Sequence, residues 1–468
     1  IVITKERKVK KEGQIEVKTK KRLILNLKRS GITSVARKSE RPELPRVLDV
    51  VFAMLELLRS IRGQPRRHLR QLVLDFVHAF FNFPGTPGER RYFATRLRND
   101  IYVWLRIAQG SRGAPMICGR ALAQAMRMAC CVVDDGRMTA ATYVDDPIAT
   151  FAGTEEEIEV NMGKMMAMLL AMGYELAFNK AQDTAVEKRI VWTSAVIELL
   201  ESEPGVKISI KPEILNDIGI MIDDMHRGGN LVPVESLRSL AGKATCVSSL
   251  LHVWRPFVGM LWAPMFDNRS KCKHSPEHVW FKAVKIPLAW IKAFLDGAKG
   301  TLCRVYTLAS YLGEGDRITI TTDASPVGLG ALLIINGTIM EFAFGFISRE
   351  DQQRLSATTS GSSGQQVWEA LAVLAALRLW KGFWMNRRIV LEVKSDSVTA
   401  LVMVIKLKAT GVGTGIISRE VALDVADALY EPTIASHVPG VANVIADHLS
   451  RMAERSSSPL PAPLRHAQ

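Results

Sequence analysis

Two adjacent carboxylates, Asp145 and Asp146, close the run Ala-Thr-Tyr-Val-Asp-Asp-Pro at residues 141–147. An aromatic and a β-branched residue precede them, and Ala140, Ala141, Ile148 and Ala149 flank the run. The pattern predicts a buried β-hairpin with acids at its tip. Neighbouring strand side chains point to opposite faces, so one of the pair faces a given cleft directly. Buried carboxylates repel each other unless something cationic sits beside them. A hard divalent ion with oxygen ligands is the usual solution, and magnesium held by carboxylates and substrate phosphates is the chemistry of nucleotidyl transfer. A surface turn with two solvated acids would read the same over four residues. A third carboxylate, a phosphate clamp and a basic track must decide.

The third carboxylate is available. Leu72-Val-Leu-Asp-Phe-Val-His-Ala-Phe-Phe-Asn-Phe-Pro84 begins as a buried strand with one acid, Asp75, which needs a partner in apolar surroundings. Residues 107–115, Ile-Ala-Gln-Gly-Ser-Arg-Gly-Ala-Pro, form a Gly-rich turn running into a helix over 117–129, a place for phosphate or base-pair contact. Residues 14–28 alternate and then turn apolar, which predicts one or two strands carrying Lys20, Lys21 and Arg22. Cations on strands can clamp phosphates, and they also protect sheet edges. Residues 47–61 have helical apolar spacing.

The whole chain fits that chemistry. It has 468 residues, 48% hydrophobic, enough for two to four domains. A net charge of +14 suggests a polyanionic partner, nucleic acid before membrane. Residues 1–42 carry 14 Lys/Arg against four acids, and the first dozen read as a solvated basic arm. Six cysteines without a CxxC pair read as reduced thiols, which points to the cytoplasm or nucleus. Cys272, His274 and His278 make only a weak metal pattern. No apolar run reaches the ~18 residues of a membrane span, and no signal peptide is visible.

A second set of acids lies in the last third. Strand-like residues 317–325 contain Asp323, and Asn336-Gly337 predicts a type I′ hairpin turn. A helix over 365–381 carries Glu369, a strand over 388–395 runs into Asp396, and His437 to Asp447 close the set. Two strand-end acids, a helix Glu and a late Asp can converge on a metal pair, and two metals roughly 3.5–4 Å apart clamp both oxygens of a phosphodiester displacement.

In order along the chain, Asp-Phe-Val-His-Ala-Phe-Phe (75–81), Gln-Gly-Ser-Arg-Gly-Ala-Pro (109–115), Tyr-Val-Asp-Asp (143–146) and Gly-Tyr-Glu-Leu-Ala-Phe-Asn-Lys (173–180) resemble the palm motifs of reverse transcriptases. The chain is similar to the reverse transcriptase/ribonuclease H region of a long-terminal-repeat, gypsy-like or related retrotransposon polyprotein. The resemblance implies that Asp75, Asp145 and Asp146 are catalytic metal ligands, with Phe80 a steric gate against a 2′-hydroxyl. It implies that Gln109 touches the incoming nucleotide, that Lys180 lies near its triphosphate and that Arg22 grips the phosphates. Val-Trp-Thr-Ser-Ala-Val (191–196) resembles a primer-gripping hairpin. Leu237–Lys243 and Trp254-Arg-Pro256 resemble a thumb, where Arg238 and Lys243 would track a nucleic-acid backbone. In the second set, the resemblance to ribonuclease H implies metal ligands Asp323, Glu369, Asp396 and Asp447, with His437 aiding proton transfer or product release.

The implied architecture is an α/β (α+β) right-hand polymerase fold followed by a ribonuclease H-like domain. Its parts would be N-terminally truncated fingers (1–70), a palm with fingers insertions (71–206), thumb (207–268), connection (269–316), ribonuclease H-like domain (317–453) and a disordered Pro/Ser-rich tail (454–468). The implied cofactor is Mg2+, or Mn2+ in its place, two ions per site. The implied partners are an RNA template, a DNA primer, RNA–DNA hybrid and deoxynucleoside triphosphates. The start at Ile1 suggests a piece of a longer polyprotein. Three positions depart from the family pattern: Ala108 where proline often stands, His78 where a polar or acidic residue is usual, and Pro147, which removes a strand N–H. Two further readings are a remnant that binds nucleic acid without catalysis and a chain that retains only the hybrid nuclease.

Overall fold

The computed structural model describes residues 2–11, 14–36, 40, 43–133, 136–272, 274–358, 361–385, 387–409, 411–452 and 459–464, with backbone alone for 2–11, 14–23, 97 and 362–363. The chain divides into two units, residues 1–199 and 200–468.

In the first unit, β1 (Val2–Lys11) pairs antiparallel with β2 (Gln14–Leu23), from Val2 opposite Leu23 to Lys11 opposite Gln14. The expected basic arm is therefore a strand. Its backbone is satisfied by a partner that a local charge count does not reveal. The short helix α1 (Ile32–Val35) is followed by α2 (Val47–Ser60), which buries Val47, Val50, Val51, Met54, Leu55 and Leu57 as its spacing predicts. Strand β3 (His68–Val73) ends two residues before Asp75. The hairpin of β4 (Ala94–Leu97) and β5 (Asp100–Val103) stands as its own two-stranded sheet. Helix α3 (Ala114–Val132) starts earlier than the predicted 117, because Pro115 is tolerated in a first turn whose N–H groups have no helical partners.

Strands β6 (Met138–Tyr143) and β7 (Asp146–Gly153) form the predicted hairpin, and the sheet order is β6-β7-β3-β8, where β8 is Gln182–Asp183. Helix α4 (Glu155–Ala171) opens on a capping box: the Thr154 hydroxyl accepts from the Glu157 amide, and the Glu157 carboxylate accepts from the Thr154 amide. Leu72, Ala149 and Phe151 of the sheet bury against Leu122 and Met126 of α3 and Met165 and Leu169 of α4. On the other sheet face, Gln71 reaches Met54 of α2. Each fully buried large apolar side chain contributes about 1.5–3 kcal/mol, so this sandwich holds the sheet end rigid. Arg70 of β3 forks onto Asp183 of β8 at 2.8 and 2.6 Å and reaches Glu155 and Glu159 of α4 at 2.7 Å. Strands β9 (Arg189–Trp192) and β10 (Ala195–Leu199) close the unit as a hairpin at 191–196.

The second unit opens with β11 (Gly205–Ile210), α5 (Pro212–Arg227), β12 (Leu231–Pro233), α6 (Val234–Leu250), α7 (Arg255–Phe266), β13 (Lys271–Cys272), β14 (Ser275–Trp280), α8 (Phe281–Leu295), β15 (Cys303–Thr307) and α9 (Leu308–Tyr311). The stretch 269–316, expected as a connection, holds three strands, the long helix α8 and the short helix α9. Here β14 pairs with both β12 and β13, and β15 with β11. A five-stranded sheet follows, ordered β18-β17-β16-β19-β20, from β16 (Asp316–Ala324), β17 (Gly328–Ile335), β18 (Thr338–Phe346), β19 (Ile389–Ser395) and β20 (Ile434–His437). Its first three strands are antiparallel, and β16, β19 and β20 run parallel. Asn336 and Gly337 both have positive φ, as a type I′ turn requires.

Between the strands come α10 (Arg349–Leu355), α11 (Ser362–Leu379), α12 (Val398–Lys406), α13 (Val412–Ala426) and the final helix α14 (Val444–Ser450). Arg378 of α11 forks onto Asp424 of α13 at 2.6 and 3.0 Å, and the Tyr430 hydroxyl donates to the same carboxylate at 2.6 Å. This locks α11, the carrier of Glu369, to its neighbour. Of the tail expected to be disordered, residues 459–464 are described, and Leu464 buries against Leu332 and Leu449. The remainder, 454–458 and 465–468, lies outside the described residues. No helix among the described residues is long and apolar enough to cross a membrane.

Candidate functional site

In the second unit, Asp323, Glu369 and Asp396 each offer an oxygen within 4.8 Å of the others, and among the described residues this is the one such group of three or more His, Cys, Asp or Glu. The parallel pairing of β16 with β19 brings the C-terminal ends of both strands side by side, and α11, packed on β16 and β17, carries Glu369. Asp323 and Glu369 are each 5% exposed. Burial first, then the neighbouring acids, pushes Glu369 up to about 8 and Asp323 up to about 6.

The hydrogen bonds around the cluster are incomplete. Asp323 accepts from the Ser450 hydroxyl at 2.8 Å and from the Asn443 amide at 3.3 Å. Glu369 Oε1 accepts from Gln365 at 2.9 Å. Glu369 Oε2 and Asp396 Oδ1 are buried without a partner. Two orphaned carboxyl oxygens beside a third carboxyl group fit a hard divalent cation, which would favour the charged forms that burial and mutual repulsion disfavour at Asp323 and Glu369.

Two residues assigned with this set stand apart from it. Asp447 raises Asp323 electrostatically, but its Oδ1 is taken by Arg451 at 2.8 Å and it is outside the three-oxygen group. His437 ends β20 opposite Ser395 in register and is exposed. Sequence reasoning missed Gln365, Asn443 and Ser450. Each lies three or four residues from a singled-out acid, on the same face of a helical turn.

In the first unit, the acids gather at one end of a sheet. Val73 pairs with Ile148, and the Leu74 amide donates to the Pro147 carbonyl at 3.2 Å, one residue before Asp75 and one after Asp146. The Pro147 carbonyl therefore faces β3, and the missing N–H costs one bond at the end of that ladder. Tyr143 pairs with Asp146 around a two-residue turn, Val144–Asp145. Val144 has φ of +59°, a left-handed conformation that costs a β-branched residue about 1–3 kcal/mol. Helix α3 presses on this turn through Gly119, whose added Cβ would lie 3.4 Å from the Val144 Cα. The Trp192 indole of β9 donates to the Asp146 carbonyl at 3.0 Å.

Asp75 has its partner: the Lys180 ammonium donates to Oδ2. Asp75, Asp145 and Asp146 do not form a three-oxygen group of the kind found in the second unit. The set of three carboxylates has the chemistry of a divalent-cation site, and Lys180 neutralises Asp75 in this structure. Phe80 sits in a 3₁₀ turn (Ala79–Asn82), half-buried against the core. The Gln109 carbonyl accepts from the Leu25 amide at 3.0 Å. Gly110 has φ of +101°, and a Cβ there would come within 2.2 Å of the Leu25 carbonyl oxygen, so only glycine follows Gln109. Arg22 lies on β2 opposite Ile3, and its side chain is outside the described residues.

On α6, Arg238 is exposed and Lys243 pairs with Asp217 at 2.5 Å. All six cysteines are free. Cys272 is buried and the His278 ring bonds Ser275, so the weak Cys272–His274–His278 pattern does not assemble.

No family model matches the chain, and no curated protein matches it. Several hundred solved chains do, by fold comparison. The foamy viral protease-reverse transcriptase dRH in complex with double-stranded DNA has a TM-score of 0.44 and 13% identity, over 93% of this chain and 65% of that one. The foamy viral protease-reverse transcriptase with RNA/DNA hybrid gives 0.36 and 13%, over 80% of this chain and 45% of that one. The same protein with double-stranded DNA gives 0.41 and 12%, over 94% and 79%. The chain thus spans less than two thirds of the first two.

Proposed function

We propose that this chain is an RNA-directed and DNA-directed DNA polymerase joined to a ribonuclease that cuts RNA in RNA–DNA hybrids, from a retroelement of the long-terminal-repeat or a related kind. In this reading residues 1–70 are fingers, 71–206 palm, 207–268 thumb, 269–316 connection and 317–453 the nuclease. The observation that carries it is the carboxylate cluster Asp323–Glu369–Asp396 with two unpartnered oxygens, in a chain whose Asp75 and Asp146 follow and begin the paired strands β3 and β7.

At the nuclease site, Asp323, Glu369 and Asp396 would hold magnesium, with Asp447 at its margin. A bound divalent ion supplies polarisation of the scissile phosphate and a deprotonated water at neutral pH. Ser450 and Asn443 fix Asp323, and Gln365 fixes one oxygen of Glu369, leaving the other without a partner. His437, at the exposed strand end, is placed to move a proton or release product. At the polymerase site, Asp75, Asp145 and Asp146 would hold the ions. A primer 3′-hydroxyl attacks the α-phosphate of a deoxynucleotide, and pyrophosphate leaves. Lys180 leaves Asp75 for the triphosphate, Arg22 and Gln109 hold the nucleotide, and Phe80 excludes the 2′-hydroxyl. Arg238 and Lys243 contact the duplex backbone.

Primer extension on an RNA template with deoxynucleotides and magnesium, alongside cleavage of a labelled RNA–DNA hybrid, tests this. Both activities are expected. Their joint absence from folded protein overturns the reading. A narrower reading, hybrid nuclease alone, is favoured by one observation: the Lys180 ammonium already neutralises Asp75, whereas the nuclease cluster is uncompensated. Cleavage without extension would select it.

A further inference from the structure

The tail segment Pro459-Leu460-Pro461-Ala462-Pro463-Leu464 is docked on the five-stranded sheet, where its composition alone predicts disorder. Its 3₁₀ turn (Ala462–Leu464) lies against β18, and the Leu464 amide donates to the Pro461 carbonyl at 2.9 Å. Leu464 is 1% exposed. It shares one apolar cluster with Leu332 of β17, Phe342 of β18, Ile445 and Leu449 of α14, and Met452 just beyond that helix. Three prolines fix φ before docking, so the segment loses less chain entropy than six ordinary residues would. Burial of one leucine can then seat it.

The helix beside it needs support. With seven residues, α14 is too short to hold itself, and its buried residues are Ala446, Leu449 and Ser450. It lies directly on β17. A Cβ added at Gly330 would come within 2.4 Å of the Ala446 carbonyl oxygen and 2.8 Å of the Leu449 Cβ, and one at Gly328 within 2.7 Å of the Ser450 carbonyl oxygen. Leu449 thus touches the sheet at Gly330 and shares its cluster with Leu464. The next residue is Ser450. Its carbonyl accepts from the Ser325 hydroxyl at 2.7 Å, and its own hydroxyl donates to Asp323 Oδ2 at 2.8 Å. An unbroken run of contacts therefore leads from Leu464 through Leu449 and Ser450 to Asp323.

We propose that segment 459–464 is a clasp that seats α14 on the sheet, and that Leu464 is a positioning residue which, through α14, keeps the Ser450 hydroxyl on Asp323. Leu464 touches no reacting group. Its effect on rate rests on the nuclease reading; the seating of α14 does not.

The test uses the full chain and two readouts: hydrogen–deuterium exchange over residues 444–452 in EDTA, and cleavage of a labelled RNA–DNA hybrid in magnesium. Leu464→Asp should speed that exchange about tenfold, because α14 opens more often once its seat is lost. It should lower kcat for cleavage about tenfold with KM unchanged, the loss expected when Asp323 is without its Ser450 donor. Leu464→Met, which refills the seat, should restore both. Leu464→Ala, a milder change, should move both in the same direction as Leu464→Asp. In a Ser450→Ala background, Leu464→Asp should lower kcat by less than about twofold more, whereas independent effects would multiply to about a hundredfold. Unchanged exchange over 444–452 in the folded variants would overturn the proposal, as would losses that multiply. If the wild type does not cleave while Leu464→Asp still speeds exchange, only the nuclease reading is lost. If the wild type cleaves and the variants leave exchange and kcat unmoved, only this proposal is lost.

Discussion

The Ser450 hydroxyl lies 2.8 Å from Oδ2 of Asp323 and 2.9 Å from the Asp447 carbonyl, and Ser450 is 1% exposed. The last turn of α14 therefore props the strand-end acid of β16, and this hydrogen bond lowers an Asp323 pKa that burial raises. Ser450→Ala should reduce hybrid cleavage about tenfold, the value of one charge-assisted hydrogen bond. It should also move the acidic limb of the pH–rate profile to higher pH, because the charged form of Asp323 loses a donor. An unmoved limb would show Ser450 to be packing alone.

Removing a ligand should separate metal binding from folding. Magnesium should raise the Tm of the wild type, and Asp396→Asn should remove most of that rise. In EDTA at pH 7, Glu369→Gln should melt at or above the wild type, since the unpartnered buried carboxyl becomes a neutral amide. Differential scanning fluorimetry with and without magnesium reads both effects.

The two acid sets lie in different units, so Asp145→Asn should abolish primer extension and leave hybrid cleavage near wild type. Parallel assays on one preparation decide it. Loss of both activities together would count against two independent sites.

Phe80→Val should admit ribonucleotides at least tenfold better, because the smaller side chain opens the position assigned to the gate. Phe80 also packs on the core, so the change should cost about 1–3 kcal/mol of stability. Single-nucleotide incorporation of paired deoxy- and ribonucleotides checks the first effect, and urea denaturation the second. Unchanged discrimination would remove the gate assignment.

His252 supplies a pH dependence of stability. Burial first, then Arg304 and Arg255, lowers it to about 3, while Glu431 lies 3.8 Å away. The unfolded imidazole binds a proton near pH 6.5 and the folded one does not. The stability contribution is therefore present above pH 6.5 and is lost as pH falls toward 3. His252→Gln should flatten urea midpoints measured between pH 7.5 and 4.5.

Local chemistry made much of this molecule legible in its sequence. Alternation and turn residues located the 138–153 hairpin and the Asn336-Gly337 turn, because side-chain period and φ preference act over a few residues. The amphipathic spacing of 47–61 gave its helix for the same reason. Asp75, Asp323 and Asp396 were legible as acids at the ends of apolar strands. Only the tertiary structure decided which groups meet. The parallel pairing of β16 with β19 set Asp396 beside Asp323, and α14 returned Ser450 to Asp323 across 127 residues. Sheet order likewise brought Lys180 onto Asp75, and left Asp447 on Arg451 instead of in the three-oxygen group. Short-range preferences are properties of a few residues, whereas convergence depends on strand order, register and helix packing, which the whole chain sets at once.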